Sequence, residues 1–182
     1  AGYVAKKMGL PINKLIIATN KNDILKRVVE TGCYKPSEVK HTISPSMDIQ
    51  VASNFERLIF DIVACDSKKT LKLMNDLNES GEFKLAKEEL QKIRDSFLSE
   101  SLSEEMTKSV ISEMYKNYGA LVDPHTAVGI GVTKKISPEE NTVILSTAHP
   151  SKFPDVVMEA TSIKPELPEN LKSILVKKEK YD

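Results

Sequence analysis

The sequence has no excess of charge, no long apolar run and almost no cysteine, and each shortage closes off a class of function. Lys plus Arg and Asp plus Glu both number 26 in 182 residues. No net field therefore favours nucleic acid or an anionic membrane surface, and the expected partner is a small molecule. No stretch approaches the roughly 18 to 20 apolar residues that cross a bilayer. The opening "AGYVAKKMGLP" does not have the plan of a signal peptide. Cys33 and Cys65 stand without motif spacing, which suits a reducing compartment and places the chain in the cytoplasm. The histidines are scattered, with no HxxxH spacing and no paired cysteines, so no metal site is expected.

What is present alternates as βα proteins do. "AGYVAKKMG" reads as the second half of a helix closed by Gly9, with Pro11 just beyond and neither N-cap nor initiator Met before it, so a fragment is expected. "KLIIATN" (14–20) is a short apolar strand, and "NDILKRVVETG" is a helix with Asn22 as plausible N-cap and Gly32 as its stop. "CYKPSEVKHTISPSMDI" is a loop punctuated by Pro36 and Pro45 and filled with the hydroxyls of Ser37, Thr42, Ser44 and Ser46. Phe55, Leu58, Ile59, Ile62 and Val63 then recur at helical spacing.

Residues 67–118 are rich in Lys, Glu and Ser and read as a helical insertion between two parts of a catalytic domain, 1–66 and 119–182. Ala86, Leu90, Ile93 and Phe97, then Met106, Val110, Met114 and Tyr118, mark two amphipathic helices. Ser101 and Ser103 compete as N-cap of the second, and Gly119 closes it. In "DPHTAVGIG", Asp123 is an N-cap, Pro124 opens the helix, and Gly129 and Gly131 permit close packing. A strand over 142–145 and two helical segments around "PDVVMEATS" and "LPENLKSILVKK" complete the pattern.

The end of that strand draws attention. "STAHPSKF" places two hydroxyls, Ser146 and Thr147, then His149 and Lys152, where open α/β sheets bind ligands. Thr147 is a candidate ligand contact or a cap of the turn before Pro150. Asn20 and Asn22, after "IIAT", lie at a strand end as well, and Asn22 serves equally as a helix cap. His125, in the first turn of its helix, has a structural reading beside a role in anion binding.

"AGYVAKKMGLPINKLIIATNKNDIL", "ISPSMDIQVASNFERLIFD", "YGALVDPHTAVG" and "ILSTAHPSKFPDVV", in that order, resemble the C-terminal part of threonine synthase of the bacterial and fungal kind. The resemblance implies an α/β chain, helix-rich with a few mainly parallel strands. That chain would be part of a tryptophan-synthase-β-like domain, the pyridoxal-phosphate (PLP) fold type II. It implies a lyase of threonine biosynthesis that converts O-phosphohomoserine to threonine and phosphate with pyridoxal 5′-phosphate.

By motif position the resemblance puts Thr147, with Ser146 as the alternative, at the pyridine nitrogen. Asn20, Asn22, Ser44, Asp48, Asn54, Arg57, His125, His149 and Lys152 become candidates for the substrate's phosphate and carboxylate, Arg57 being as readily a solvated charge on its helix. The family's cofactor lysine and its GNFG-type phosphate loop are not in this sequence. No catalytic lysine is therefore assigned, and the missing N-terminal part of the same protein is the expected partner. Two alternatives carry part of the same signal: another enzyme of this cofactor class, like threonine dehydratase or cysteine synthase, and a non-catalytic helical interaction module centred on 67–118.

Overall fold

The computed structural model describes residues 1–136, 141–173 and 177–179. In chain order, α1 (Gly2–Lys7) leads to β1 (Leu15–Thr19), α2 (Ile24–Thr31) and the two-residue β2 (Cys33–Tyr34). A loop with one 3-10 turn at Pro45–Met47 precedes α3 (Ser53–Ile62), α4 (Ser67–Ser80) and β3 (Phe83–Lys84). Next come α5 (Lys87–Ser96), β4 (Phe97–Ser101), α6 (Glu104–Tyr118) and α7 (Pro124–Ile136), followed by α8 (Pro154–Thr161) and α9 (Glu169–Lys172). None of the described helices is long and apolar enough to cross a membrane.

The organising pair is β1 with β4, parallel, in the register Leu15↔Phe97 through Thr19↔Ser101. Successive strand residues face opposite sides, and both sides of β1 are apolar. Leu15 and Ile17 pack into one core with Ile24, Val28, Phe55, Ile59, Ile93 and Phe97. Ile16 and Ala18 pack into a second, with Leu102, Val110, Ile111, Val128 and Val132. A parallel strand covered on both faces needs such a continuous apolar run, which "LIIA" supplies. In the first core Tyr34 stacks between Phe83 and Phe55, with ring centroids 4.9 and 5.5 Å away; the antiparallel pair β2–β3 brings the first of these together.

The structure departs from the sequence reading in several places. The segment 67–118, read as a helical insertion, contains β4, so it supplies the partner strand of β1. Phe97 fits the helical stripe of α5, but its backbone is already extended, at φ −122° and ψ 140°, and it starts a strand that needs β1 to exist. Residues 142–145, read as a strand, run without ladder pairing to any described strand, and Val143 and Leu145 are 88% and 68% exposed. The N-cap position of α2 belongs to Asp23 rather than Asn22, whose amide is spent elsewhere.

Other local signals hold. Gly32, Gly81 and Gly119 take the left-handed C-cap conformation, and Ser103, not Ser101, accepts the Met106 N–H at the start of α6. The last segment is helical over Glu169–Lys172; residues 174–176 of that expectation lie outside the described residues.

Candidate functional site

Where β1 ends, the chain buries polar side chains in a row. Asn20, Asn22 and Ser44 are almost completely buried, and burial obliges each polar atom to find a partner. The partners come from the loop after β2. Asp48 is the hub: its Oδ1 accepts from Asn20 Nδ2 (2.8 Å), Asn22 Nδ2 (3.0 Å) and the Thr42 hydroxyl (2.7 Å), and its Oδ2 accepts from the Thr42 N–H (2.9 Å). Asn20 Nδ2 also reaches Thr42 Oγ1 and Ser44 Oγ, at 2.8 and 3.0 Å. The Asn22 amide clips the backbone of Lys40 from both sides, donating to its carbonyl at 2.8 Å and accepting from its N–H at 2.9 Å. The hydroxyl-rich loop is thus tied to the strand end by a closed polar network.

A second cluster forms where α7 begins. Pro at the first helical position and an aspartate before it start the helix, and Asp123 caps it by accepting from the backbone N–H of His125 at 2.9 Å. The buried carboxylate does more. Its Oδ1 lies 2.9 Å from His125 Nδ1, and its Oδ2 accepts the Thr126 hydroxyl. His125 Nε2 accepts the N–H of Ser46 at 3.1 Å. That bond leaves the ring proton on Nδ1, where it donates to Asp123. The imidazole packs at 54° against the ring of Phe153, with centroids 4.7 Å apart. Thr126 Oγ1 in turn accepts from the Thr147 N–H at 3.1 Å, and the two threonine hydroxyls are 3.3 Å apart.

Ser146 and His149, with Asp123, Pro150 and Glu166, line an open cleft of about 440 Å³ beside this cluster. Thr147 is exposed next to it. His149 Nδ1 is turned to its own loop, accepting from the Ser151 N–H at 3.2 Å as the N-cap of the 3-10 turn Pro150–Lys152.

The candidates divide accordingly. Asn20, Asn22, Ser44 and Asp48 converge in one network, and His125 connects its loop to Thr147. Asn54 and Arg57 lie exposed on α3, and Lys152 is exposed after the cleft; none of the three side chains makes a polar contact with the described residues. Thr126 escaped the sequence reading, although its place three residues after an aspartate N-cap marked it as a capping partner. Thr42 was visible only as one hydroxyl among several in its loop.

A family sequence model described as threonine synthase, C-terminal, matches residues 126–182. Over 99% of its length the chain is 39% identical to the threonine synthase of Pseudomonas aeruginosa and 40% identical to that of Saccharomyces cerevisiae, covering 39% and 40% of those proteins. It superposes with a TM-score of 0.92 and 43% identity on the crystal structure of PLP-bound threonine synthase from Brucella melitensis, covering 99% of this chain and 39% of that one. The chain therefore spans about two-fifths of the length of the relatives it matches. In sequence and in fold, that of PLP fold type II, the chain is similar to these threonine synthases, and residues 126–182 match their C-terminal region.

Proposed function

We propose that this chain is the C-terminal part of a threonine synthase, a cytoplasmic lyase of threonine biosynthesis. It would convert O-phosphohomoserine and water to L-threonine and phosphate with pyridoxal 5′-phosphate. The similarity to a synthase solved with that cofactor bound supports the reading, and one observation in this chain carries it: the Thr147 hydroxyl stands beside the cleft with its backbone N–H anchored on Thr126.

The donor set fits a pyridine nitrogen. Thr126 commits its own proton to Asp123, so in the 3.3 Å contact between the two hydroxyls Thr147 is the donor, and it would exchange that long bond for one to a ring nitrogen by rotating outward. When bound, the cofactor supplies the electron sink, and a neutral hydroxyl at its ring keeps that sink milder than a carboxylate would. Ser146, one residue earlier on the cleft wall, is the alternative contact.

The loop held by Asp48 forms the other side, with Ser44, Asn20 and Asn22 fixing its position. Asn54, Arg57, His149 and Lys152 are exposed polar groups available to the substrate's phosphate or carboxylate. The cofactor lysine and phosphate loop would belong to the part of a full-length synthase that this chain does not span. The exposed apolar run Val143–Leu145 offers that part an edge to cover.

The experiment is threonine and phosphate release from O-phosphohomoserine by the intact protein, with substitutions at Thr147. Thr147→Ser keeps the hydroxyl and should stay within about threefold of the parent. Thr147→Asp places a charge at the ring nitrogen, favours the protonated ring and should slow turnover at least tenfold with an altered cofactor spectrum. An Asp variant with unaltered spectrum and turnover would show that Thr147 only caps its turn.

A further inference from the structure

We propose that His125 is a positioning residue that sets the distance between the two sides of the site. The sides in question, the loop carrying Ser44 and Asp48 and the strand end carrying Thr147, take their names from the proposed function and rest on that reading. The linkage itself does not. Starting at the loop, the Ser46 N–H donates to His125 Nε2 (3.1 Å), and His125 Nδ1–H donates to Asp123 Oδ1 (2.9 Å). Asp123 Oδ2 accepts the Thr126 hydroxyl, and Thr126 Oγ1 accepts the Thr147 N–H (3.1 Å).

Each joint has little freedom. Asp123 and His125 are buried, with side chains only 1% and 5% exposed. The imidazole is held from the side by Phe153, and the carboxylate is fixed by capping α7. Both ring nitrogens are occupied, so His125 has none free for a substrate oxygen. Ser46 is 79 residues away in sequence, and no other hydrogen bond or ion pair among the described residues joins the loop 42–48 to α7. A histidine suits the post because one rigid ring accepts from the loop on one side and donates to the cap of its own helix on the other.

The consequence is a division of labour. Asp48 ties the loop to the end of β1, and His125 ties it to α7 and so sets where it stands relative to Thr147. Losing that bond should loosen substrate binding and leave the cofactor contact at Thr147 in place.

Two substitutions separate the joints in the intact protein. His125→Asn keeps a donor at the Nδ1 position and loses the acceptor for Ser46; His125→Gln keeps an acceptor that reaches the Nε2 position. In the cofactor-free protein, amide exchange over residues 44–48 should quicken at least tenfold in the Asn variant and return to within threefold of the parent in the Gln variant. Residues 123–128 should exchange at the parental rate in both. With cofactor, the Asn variant should raise KM for O-phosphohomoserine at least tenfold with kcat within threefold and an unchanged cofactor spectrum, and the Gln variant should recover KM.

Exchange over 44–48 within threefold of the parent in the Asn variant overturns the proposal, as do Asn and Gln variants that behave alike. In the unsubstituted protein, ring nitrogen shifts should report the Nδ1–H tautomer of His125, and an Nε2–H tautomer overturns the proposal without any variant. A parent protein that makes no threonine from O-phosphohomoserine defeats the functional reading alone, because the exchange and tautomer measurements still decide the linkage.

Discussion

Replacing Asp48 by alanine removes the acceptor of four hydrogen bonds at once, and the structure says how much of that loss is recoverable. Asn20 keeps Thr42 Oγ1 and Ser44 Oγ, Asn22 keeps the Lys40 carbonyl, and the Thr42 hydroxyl can turn to Ser44 Oγ at 3.2 Å. Only the Thr42 N–H has no second partner among the described residues. Bonds to a charged acceptor contribute roughly 1.5–3 kcal/mol each and a stranded donor costs about 1–3 kcal/mol, so with three of the four donors re-paired the net loss is about 2–4 kcal/mol. At about 1.4 kcal/mol per decade, amide exchange through local opening of residues 40–48 should quicken roughly 30- to 800-fold.

Asp48→Asn should fall between. It retains one oxygen for the Asn20, Asn22 and Thr42 side chains but turns an NH2 group towards the Thr42 N–H, at a cost of about 2 kcal/mol. The assay is hydrogen exchange of the intact protein followed over residues 40–48. Exchange within threefold of the parent in the alanine variant would refute the claim that this carboxylate holds the loop.

Two further substitutions test the frame around the site. In Gly131→Ala the new Cβ would lie 2.5 Å from Leu102 Cδ2 and 3.2 Å from Val110 Cγ2. Overpacking of roughly 1–3 kcal/mol should then outweigh a helix-propensity gain of about 1 kcal/mol and lower the urea midpoint; a raised midpoint would show that Leu102 has room to turn. Glu89 is buried, where desolvation alone would raise its pKa, yet its pairing with Lys69 and the Ala86 N–H at 2.8 Å hold the carboxyl below the ordinary value of 4.5. A folded value below the unfolded one means that the stabilisation is full above about pH 4.5 and is lost as pH falls through the folded value. Glu89→Gln should therefore cost about 2 kcal/mol at pH 7 and less at pH 3, measured by urea unfolding; a cost that grows on acidification would contradict the assignment.

Chain-local chemistry was legible throughout. Gly32 and Gly119 end helices because only a residue without a Cβ turns left-handed cheaply. Asp123 with Pro124 starts α7 wherever that helix is placed. The apolar run of β1 announced a short strand, and four motifs in order announced the resemblance to threonine synthases. The hydroxyl-rich loop was recognised as polar, which its composition suffices to show.

What the tertiary structure alone decided is which distant groups meet. Phe97 satisfies the stripe of α5 and the first register position of β4 equally, and only β1, some 80 residues earlier, makes it a strand. The run 142–145 has strand composition, but a strand is completed by hydrogen bonds to a neighbour, and no described strand supplies them. Asn22 could contact a ligand or cap a helix, and its hydrogen bonds to the Lys40 backbone and to Asp48 spend its amide on the loop instead. His125 had a structural reading beside a role in anion binding; the fold places the Ser46 N–H on one nitrogen and Asp123 on the other. Helix periodicity and capping are encoded within a few residues of chain, whereas a hydrogen bond across 79 residues depends on where every intervening element packs, and no short window of sequence contains that information.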